Sequence, residues 1–374
     1  MRKSLIKSVD LIVIGAGLAG SAMAWQAHWR GLSVAIIDRL DAQTSSKVAA
    51  GLVTPITGAR AAASWRWKDF YSAANFFYRH VERTVGSAFW HVEPALRVFH
   101  NQAEQELFLA KWIGKERDAG PESIRATLIA GSNPSGLKTP YNMCSMEPAS
   151  RLDTIPYLAE TKHYFEGIDA FHGFHLQCDR DIVFESMRLE YPVRISALQL
   201  AGKRVAFCQG IAAGENRYFA DLPLHPARGD ILLVKSPGVD CDRVIHHDAW
   251  AVPMGENRYL VGATYDRVSL HDAAIPIDEK GPRFRDELKL RWESVTEGTF
   301  QGGQHTVLEQ RWAVRPASYD RHPLIGPHDV HANAFCLNGL GSKGTLMAPR
   351  LAEMALDAME GTPIDPTLLW TRRK

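Results

Sequence analysis

The sequence lacks an apolar stretch long enough to cross a bilayer as a helix. Such a helix needs about 18 or more consecutive apolar residues, and no run in this chain reaches that length. The start, Met1-Arg-Lys, superficially resembles a secretion signal, but Lys7 and Asp10 interrupt the apolar stretch that follows. We therefore expect neither a transmembrane segment nor a cleaved signal.

Paired cysteines are missing as well. No Cys-x-x-Cys motif occurs among the five cysteines, which are Cys144, Cys178, Cys208, Cys241 and Cys336. An odd, scattered set fits reduced thiols in a cytoplasm better than a disulfide framework or a zinc site. The sequence therefore predicts a cytoplasmic protein without a metal site.

An excess of charge is the third absence. The 43 basic and 42 acidic residues leave a formal net charge of +1, so no overall field attracts nucleic acid or an anionic membrane. We expect no DNA partner, although a local basic patch is compatible with this balance. With 374 residues and 45% apolar content, the chain can bury a sizeable core and form about two domains.

A dinucleotide-binding pattern lies near the start of the chain. The apolar run Asp10–Ile14 predicts a buried parallel strand. It leads into the motif Gly15-Ala-Gly17-Leu-Ala-Gly20. A predicted helix at 21–30 follows, and then a second predicted strand at 33–37 that ends at Asp38. Strand, glycine turn, helix, strand and terminal acid together predict a βαβ nucleotide-binding unit.

Each residue type in this pattern has a physical role. Gly15 permits the tight turn, Gly17 lets a pyrophosphate approach the backbone amides, and Gly20 lets the helix pack closely on the strands. The helix N-terminus suits a diphosphate because it carries partial positive charge and free N–H groups. Asp38 is placed to accept hydrogen bonds from ribose hydroxyls. The motif alone does not separate FAD from NAD.

Two further segments favour FAD over NAD. Residues 44–58 are rich in small and hydroxylated side chains, which allow close passage beside an extended ligand, although a flexible loop has a similar composition. Near the other end, a predicted strand at Ala334–Asn338 runs into the turn Gly339–Thr345 and a predicted helix. Two glycine-rich helix starts suit a long ligand held at both ends, and the second dipole would stabilise a reduced flavin ring.

Five landmarks resemble the D-amino-acid oxidase superfamily of FAD enzymes, which includes glycine oxidase, sarcosine oxidase and related amine oxidases. In family order along nearly the whole chain, they are Gly15–Gly20 with Asp38, Ser45–Gly51, Pro226–Leu232, Gly262–Tyr265, and Arg315 through Gly344. The last block also resembles the oxidase half of the bifunctional enzyme that completes methylaminomethyl-uridine in tRNA. The methyltransferase half of that enzyme has no counterpart in this sequence.

The resemblance implies an α/β fold of the D-amino-acid oxidase type. In it, an FAD/NAD(P)-binding, Rossmann-like, doubly wound domain (the glutathione-reductase-like FAD fold) is interleaved with a mixed-sheet substrate domain. The implied FAD-binding domain is discontinuous, at 1–65, 145–222 and 320–374, and the substrate-binding domain takes 66–144 and 223–319. Within the architecture that the resemblance implies, residues 204–210 are expected to form a strand that returns to the nucleotide domain. Residues 231–234, 250–252 and 259–262 are expected to be strands of the substrate domain.

Two intervening regions carry no predicted site residue. Ten aromatic residues lie between Trp65 and Trp112, and their helical spacing favours core packing over a substrate cage. The stretch Lys115–Pro140 is rich in Gly, Pro and Ser, which predicts a surface excursion.

FAD is the cofactor that the resemblance implies. The residues expected to bind it lie in the glycine turns and in the segments beside them: Gly15, Ala16, Gly17, Leu18, Ala19, Gly20, Asp38, Arg39, Ser45, Ser46, Ala49, Ala50, Gly51, Leu52, Gly210, Gly339, Gly341, Ser342, Lys343, Gly344 and Thr345.

Arg315 and Lys343 are the expected catalytic residues. In glycine oxidase and its relatives, the arginine of an Arg-Pro pair holds the substrate carboxylate, and Arg315 occupies that position here. A guanidinium fork matches a carboxylate and stays charged at any working pH. The alternative is an arginine that only ties two loops together, and Arg311 either shares the role or is structural. Lys343, beside the predicted flavin, either raises the flavin potential, assists the reaction with oxygen, or faces solvent.

The implied reaction oxidises the C–N bond of a small amine or amino acid by hydride transfer to flavin N5. The imine then hydrolyses, and O2 or another acceptor reoxidises the flavin. The alternatives are a flavin-dependent hydroxylase or monooxygenase, a tRNA-base-modifying amine oxidase, an NAD-dependent dehydrogenase and a non-enzymatic FAD-binding partner module. The sequence Asn338-Gly-Leu-Gly-Ser-Lys stands where hydroxylases carry a Gly-Asp motif, which argues against a hydroxylase.

Overall fold

The computed structural model describes residues 6–115, 120, 122–129, 134–186, 188–269 and 277–373. Residues 1–5, which carry the signal-like start, lie outside the described residues. The α-helices are α1 Leu18–Trp29, α2 Ser45–Val48, α3 Trp67–Val85, α4 Gln102–Lys111, α5 Thr154–Gly167, α6 Cys178–Asp181, α7 Ile277–Val295 and α8 Gly344–Met359. The strands are β1 Lys7–Ile14, β2 Val34–Asp38, β3 Leu52–Val53, β4 Ile56–Thr57, β5 Ala62–Ala63, β6 Trp90–Val92, β7 Ala95–Val98, β8 Arg125–Ile129, β9 Met143–Glu147, β10 Ser150–Leu152, β11 Phe171–Gly173, β12 Ile182–Phe184, β13 Val193–Ile195, β14 Leu200–Phe207, β15 Ala227–Lys235, β16 Ile245–His246, β17 Trp250–Pro253, β18 Arg258–Gly262, β19 Asp266–Arg267, β20 Thr306–Arg315, β21 Leu324–Pro327 and β22 Ala334–Asn338.

The nucleotide-type sheet has the strand order β11-β2-β1-β14-β13-β12, with β22 paired to both β14 and β21. β1 is parallel to β2 on one side and to β14 on the other, and α1 forms the connection between β1 and β2. Parallel strands covered on both faces are continuously apolar, and Leu11 to Ile14 are accordingly all buried. The predicted βαβ unit and Rossmann-like sheet are confirmed.

The strand predicted at 204–210 is confirmed as part of β14, at the centre of this sheet. Its first half pairs antiparallel with β13, and its second half pairs parallel with β22. The carboxyl ends of β1, β14 and β22 therefore meet at one edge, which is where ligands bind in open α/β sheets. The glycine turns that begin at Gly15, Gly210 and Gly339 all follow these strand ends.

The second sheet has the order β19-β15-β18-β17-β16-β7-β9-β8, with β20 paired to β15. The three strands predicted for the substrate domain are confirmed within β15, β17 and β18. The sheet is mixed, because β16 is parallel to β7 while β15, β17 and β18 pair antiparallel. The long β15–β20 ladder runs from Ala227 opposite Arg315 to Lys235 opposite Thr306.

The aromatic-rich region packs into the core, as its spacing predicted. Phe70, Phe77 and Tyr78 of α3 are fully buried in a cluster that includes residues of α1 and α8. Tyr78 donates a hydrogen bond from its hydroxyl to the carbonyl of Thr345 at 3.0 Å. α3 therefore supports the helix that begins at the carboxyl-terminal glycine turn, although the predicted domain boundaries assign it to the substrate domain.

The surface excursion predicted for Lys115–Pro140 is wrong for part of that stretch. Arg125–Ile129 forms β8, which pairs antiparallel with β9, and Ala126 is buried. The tertiary pairing with β9 supplies the hydrogen bonds that local composition did not predict. Residues 116–119, 121 and 130–133 of this stretch lie outside the described residues.

The five cysteines are buried and unpaired. Burial in apolar surroundings raises the pKa of Cys144 to about 12 and that of Cys178 to about 11. Thiols with such pKa values hold little nucleophilic thiolate near neutral pH. Separately, among the described residues, no helix combines the length and hydropathy needed to traverse a bilayer.

We predict that the folded protein reacts only slowly with a thiol reagent such as DTNB at mildly alkaline pH, because every thiol is buried and those of Cys144 and Cys178 have raised pKa values. All five thiols should react promptly once guanidinium chloride unfolds the chain. The measurement is the time course of absorbance with and without denaturant. A prompt reaction of even one thiol in the folded protein would contradict the burial described above.

Candidate cofactor site and active site

Two close contacts between backbone segments fix the conformation of the first glycine turn. Gly15 has φ +97°, and a Cβ at this position would lie 2.6 Å from the carbonyl oxygen of Cys208. A Cβ on Gly20 would lie 1.7 Å from the carbonyl oxygen of Gly15. A side chain at either position would push α1 away from β1 and β14. The roles predicted for these two glycines in turn formation and helix packing match this geometry.

The N-terminus of α1 faces Ser46. The Ser46 hydroxyl accepts a hydrogen bond from the backbone N–H of Leu18 at 3.0 Å. Gly17 is the N-cap residue of α1, and the first turn of the helix contains no acidic side chain. A Cβ on Gly17 would lie 2.8 Å from the Ser46 hydroxyl oxygen. The partial positive charge of this helix end is therefore available to an anionic ligand.

Asp38 ends β2 with its carboxylate held in place. One carboxylate oxygen accepts a hydrogen bond from the N–H of Ala16 at 2.6 Å, and the other accepts one from the N–H of Leu40 at 2.7 Å. Each carboxylate oxygen has a further lone pair. The acid is thus oriented by backbone groups of the glycine turn itself, beside the helix N-terminus.

The segment after β2 also makes a tight backbone contact. Gly51 has φ +67°, and a Cβ there would lie 1.9 Å from the carbonyl oxygen of Leu152. Thr44 caps α2 by accepting a hydrogen bond from the N–H of Lys47. The small residues predicted to let an extended ligand pass are therefore packed against β10 rather than in a flexible loop.

The carboxyl-terminal glycine turn joins the two sheets. Gly339 and Gly341 have φ of +71° and +55°. The N–H of Gly341 donates to the carbonyl of Pro316 at 3.1 Å, and the Asn338 amide donates to the carbonyl of Gly210 at 2.8 Å. These bonds bring the start of α8 next to both the end of β20 and the turn after β14.

One cavity of about 570 Å³ connects these elements. Eighteen of the predicted cofactor residues line it: Gly15, Ala16, Gly17, Leu18, Ala19, Asp38, Arg39, Ser45, Ser46, Ala49, Ala50, Gly51, Leu52, Gly210, Gly341, Ser342, Gly344 and Thr345. Arg315 lines it as well. The structure therefore brings together residues that span most of the sequence.

Three predicted residues lie behind the cavity wall. Gly20, Gly339 and Lys343 are not among the residues that line it. Gly20 faces the carbonyl of Gly15, as described above, and a Cβ on Gly339 would lie 2.8 Å from the side chain of Leu324. These two glycines permit close packing behind the cavity.

Sequence reasoning missed several lining residues near Arg315. The side of the cavity at the second sheet includes Gly229, Ile231, Trp250 and Ala313. Gly229 and Ile231 are two residues apart in β15 and so share one face of the sheet. The alternation of side chains along a strand indicates that Gly229 and Ile231 share a face. It does not predict that Trp250 and Ala313, which lie on other strands, complete this part of the wall.

The guanidinium of Arg315 is partly buried, and few groups of the protein compensate its positive charge. Burial lowers the pKa of Arg315 below its usual value, although Tyr265 and Asp230 oppose this effect. Its Nη1 donates to the carbonyl of Thr264 at 3.4 Å, and it forms no ion pair with any carboxylate in the described part of the chain. By contrast, Arg311 donates to Glu309 at 2.6 Å on the protein surface.

Lys343 is a second partly buried cation without an acidic partner among the described residues. Its Nζ donates to the hydroxyls of Ser64 at 2.8 Å and Thr57 at 3.4 Å. Burial lowers the pKa of Lys343 to about 8. The side chain therefore points to the β4–β5 hairpin rather than to solvent, while the adjacent Ser342 and Gly344 line the cavity.

The family of the chain can be read from a comparison with known proteins. Residues 10–138 and 187–358 match the model of the DAO family, described as FAD dependent oxidoreductase. The chain belongs to this family. FAD is therefore its cofactor, and the predictions of the fold class, the cofactor and an enzyme are confirmed. The individual residue roles and the domain boundaries stay predictions.

Curated relatives of this family member include tRNA 5-methylaminomethyl-2-thiouridine biosynthesis bifunctional proteins. The one from Maricaulis maris (strain MCS10) is 27% identical over 94% of this chain and 52% of its own length. The one from Marinobacter nauticus is 26% identical over 93% of this chain and 55% of its own length. The chain thus spans about half the length of these relatives. Glycine oxidase from Bacillus licheniformis is 29% identical over 38% of this chain and 37% of its own length.

Solved structures show the same fold for this DAO family member. Iminodiacetate oxidase from Chelativorans sp. BNC1 gives a TM-score of 0.71 at 20% identity, covering 96% of this chain and 98% of the other. Glycine oxidase from Bacillus cereus ATCC 14579 gives 0.72 at 18% identity, covering 96% and 97%. At this identity the likeness concerns the fold alone.

We predict that Gly17→Val abolishes FAD retention, because a branched side chain would fill the space between the start of α1 and Ser46. The measurement is the ratio of visible flavin absorbance to protein absorbance after purification. The matched control is Gly167→Val, because nothing lies within 4 Å of a Cβ at Gly167. Normal FAD content in the folded Gly17→Val variant would show that the turn does not bind the cofactor.

Proposed function

We propose that the protein oxidises the C–N bond of a small amino acid or N-substituted amino acid, and that Arg315 binds the substrate carboxylate. The observation that carries the proposal is a partly buried guanidinium that lines the cavity and forms no ion pair within the described part of the chain. A buried unpaired charge is costly unless a partner arrives. A substrate carboxylate supplies that partner.

Arg315 suits this role in both geometry and position. A planar guanidinium forms two parallel hydrogen bonds with a carboxylate, which fixes orientation as well as charge. The neighbouring cavity wall includes the apolar side chains of Ile231 and Trp250. Apolar surroundings disfavour the charged form of an amine and so lower its pKa. The site thus supports binding of a neutral amine next to an anchored carboxylate.

Bound FAD would supply the acceptor for the hydride that leaves the carbon bearing the amine. The protein's share is to orient the substrate and to exclude water. The product imine then hydrolyses in water. The reoxidising acceptor is O2 or another electron acceptor, and the five buried thiols support a reducing compartment such as the cytoplasm.

We assign to Lys343 a role in raising the reduction potential of the bound cofactor. Its ammonium is buried behind the wall formed by Ser342 and Gly344 and is held only by hydroxyl groups of the described residues. A positive charge in low-dielectric surroundings favours a nearby group that gains negative charge. The hydroxyl partners hold the ammonium without neutralising it.

A modified tRNA base is the second candidate substrate. The first curated relatives bear names that concern tRNA 5-methylaminomethyl-2-thiouridine biosynthesis, and they match nearly all of this chain. Near Arg315, Tyr265 is 51% exposed and the Arg267 guanidinium lies 5.1 Å from its ring centroid. Exposed aromatic rings beside arginines are suited to stacking on an unpaired base.

An anaerobic reduction screen separates the two candidates. The oxidised holoenzyme is mixed with glycine, sarcosine, D- and L-amino acids, proline, simple amines and, separately, tRNA that carries an aminomethyl-uridine. Bleaching of flavin absorbance by one class identifies the substrate, and rapid recovery in air with peroxide identifies an oxidase. Bleaching by simple amines but not by any carboxylate-bearing amine would refute the anchor role of Arg315.

We predict that Arg315→Ala raises KM for a carboxylate-bearing substrate about 10- to 100-fold, since hydrogen bonds to charged groups contribute about 1.5–3 kcal/mol. FAD content should change little. Steady-state kinetics and flavin absorbance measure the two effects. Arg311→Ala is the control, because Arg311 is paired with Glu309 and should leave KM unchanged. An unchanged KM in the Arg315→Ala variant would refute the role of Arg315 as the carboxylate anchor.

We predict that Lys343→Met lowers the midpoint potential of the bound FAD by roughly 30 mV or more. Burial lowers the pKa of Lys343 to about 8, so its charge is present below that pH and lost above it. The difference from the wild type should therefore be largest below pH 8 and shrink above it. Spectroelectrochemical titration at several pH values measures this.

Two further variants complete that test. Lys343→Arg keeps the charge and should retain most of the potential. Lys289→Met removes a partly exposed lysine that is paired with Asp286 outside the cavity lining, and it should have no effect. If Lys343→Met and the wild type share one potential at all pH values, Lys343 does not tune the cofactor.

A further inference from the structure

We propose that Gly229 is a positioning residue that lets the guanidinium of Arg315 lie close against the β15 backbone, and thereby sets the direction from which a substrate carboxylate is bound. This inference rests on the proposed anchor role of Arg315. A Cβ built on Gly229 would lie 2.0 Å from Nη2, 2.3 Å from Cζ and 2.4 Å from Nη1 of Arg315. These distances mean that the end of the guanidinium, with Cζ and both Nη atoms, lies directly over the Gly229 Cα.

The register of the two strands explains this contact. In the β15–β20 ladder, Gly229 is opposite Ala313 and Ala227 is opposite Arg315. Residues two apart in a strand share a face, so Arg315 and Gly229 lie on the same face as diagonal neighbours. Long side chains reach such diagonal positions. Arg315 therefore extends along the ladder over Gly229, on the face that lines the cavity.

Close approach, rather than backbone conformation, accounts for the glycine. A glycine inside a strand weakens it and often marks a site where another group comes near. Gly51, Gly339 and Gly341 have positive φ values, whereas Gly229 does not. An alanine at 229 would thus meet no backbone strain of its own. The three heavy atoms nearest to its Cβ all belong to the side chain of Arg315.

Two neighbours restrict the guanidinium from other directions. The carbonyl of Thr264 accepts the hydrogen bond from Nη1 at 3.4 Å, and the Tyr265 ring centroid lies 5.9 Å from Cζ. The Thr264 hydroxyl in turn accepts a hydrogen bond from the N–H of Asp230 at 2.8 Å. This bond ties the loop that carries Thr264 to the residue directly after Gly229. The guanidinium of Arg315 is thus confined by β15 and by the loop with Thr264, which is hydrogen-bonded to β15.

The expected effect of a methyl group at position 229 follows from these contacts. Heavy atoms in contact normally stay about 3.5–4.0 Å apart, so the guanidinium would have to move by about 1 Å or more. A displacement of this size at an anchoring group can cost about 10²-fold in rate. We expect Gly229→Ala to weaken carboxylate binding and to leave amines without a carboxylate unaffected.

The test is a double-mutant cycle with acetate as a carboxylate that cannot be oxidised. Its dissociation constant is measured on the oxidised holoenzyme from the perturbation of the flavin spectrum, for wild type, Gly229→Ala, Arg315→Ala and the double variant. Gly229→Ala should raise the dissociation constant about 10- to 100-fold when Arg315 is present and not at all when it is alanine. Equal effects in both backgrounds, or no effect in either, would overturn the proposal.

The control variant is Gly202→Ala, another buried strand glycine whose Cβ would lie 2.7 Å from the end of a side chain, that of Ile12. It lies outside the cavity lining and should leave acetate binding unchanged. If Arg315→Ala fails to alter acetate binding, the anchor role itself is refuted, together with this inference. If Arg315→Ala weakens binding and Gly229→Ala does not, only the role of Gly229 is refuted.

Thermal unfolding gives a second measurement that does not depend on acetate. Gly229→Ala should lower Tm, or prevent folding, only while the guanidinium is present. The double variant should unfold at the same temperature as Arg315→Ala, because the colliding group has been removed. A Tm loss of equal size in both backgrounds would show that Gly229 serves the strand and not Arg315.

Discussion

The cofactor end of this molecule depends on one contact between two stretches of backbone, where α1 crosses the turn that leads into it. The carbonyl of Gly15 approaches Gly20 so closely that even a methyl group has no room. This contact places the first N–H groups of α1 at the carboxyl edge of the sheet. α8 then packs on the same helix, since a Cβ on Gly344 would lie 3.2 Å from the Leu18 side chain. Two helix N-termini therefore converge on one cavity.

Two partly buried cations, one in the cavity wall and one behind it, lack an acidic partner among the described residues. Many other arginines of the described residues are paired with acids, including the fully buried Arg228, which donates to Asp230 at 2.9 Å. Arg315 and Lys343 instead bond to a carbonyl and to hydroxyls. Perturbed titratable groups that lack a fixed partner are typical of functional sites. The two cations also lie on different structural units, since Arg315 ends β20 and Lys343 precedes α8.

The parts of the site that the sequence predicted are those with a local signature. The first glycine turn, Asp38 and the carboxyl-terminal turn all lie directly after apolar strands, so spacing alone indicated their roles. The side-chain direction of Lys343 was not predictable, because its partner Ser64 is 279 residues away in the chain. The packing of Arg315 over Gly229 depends on the register of β15 with β20, which no local pattern specifies.

Tertiary pairing also explains the less successful predictions. β8 is a strand because β9 provides its partner, although the composition around it is typical of a loop. Trp250 lies across Gly262 of the adjacent strand, where a Cβ would be 2.5 Å from the indole. Whether a tryptophan covers a glycine of the neighbouring strand depends on which strands are adjacent in the sheet. The sequence contained both residues, but it did not indicate that they are neighbours.

The order of strands around β14 affects how the nucleotide-type sheet forms while the chain is being synthesised. β14 cannot complete its pairing until β22 is present. Ala334 of β22 pairs with Val205 of β14, although well over a hundred positions separate them in the sequence. Contacts between distant parts of a chain form late and slowly, and ribosomes deliver the amino-terminal part first. The nascent chain therefore carries an unfinished nucleotide sheet until the residues of β22 have been synthesised. A chain halted before β22 would lack the carboxyl-terminal glycine turn that lines the cavity, and it would expose an edge of β14.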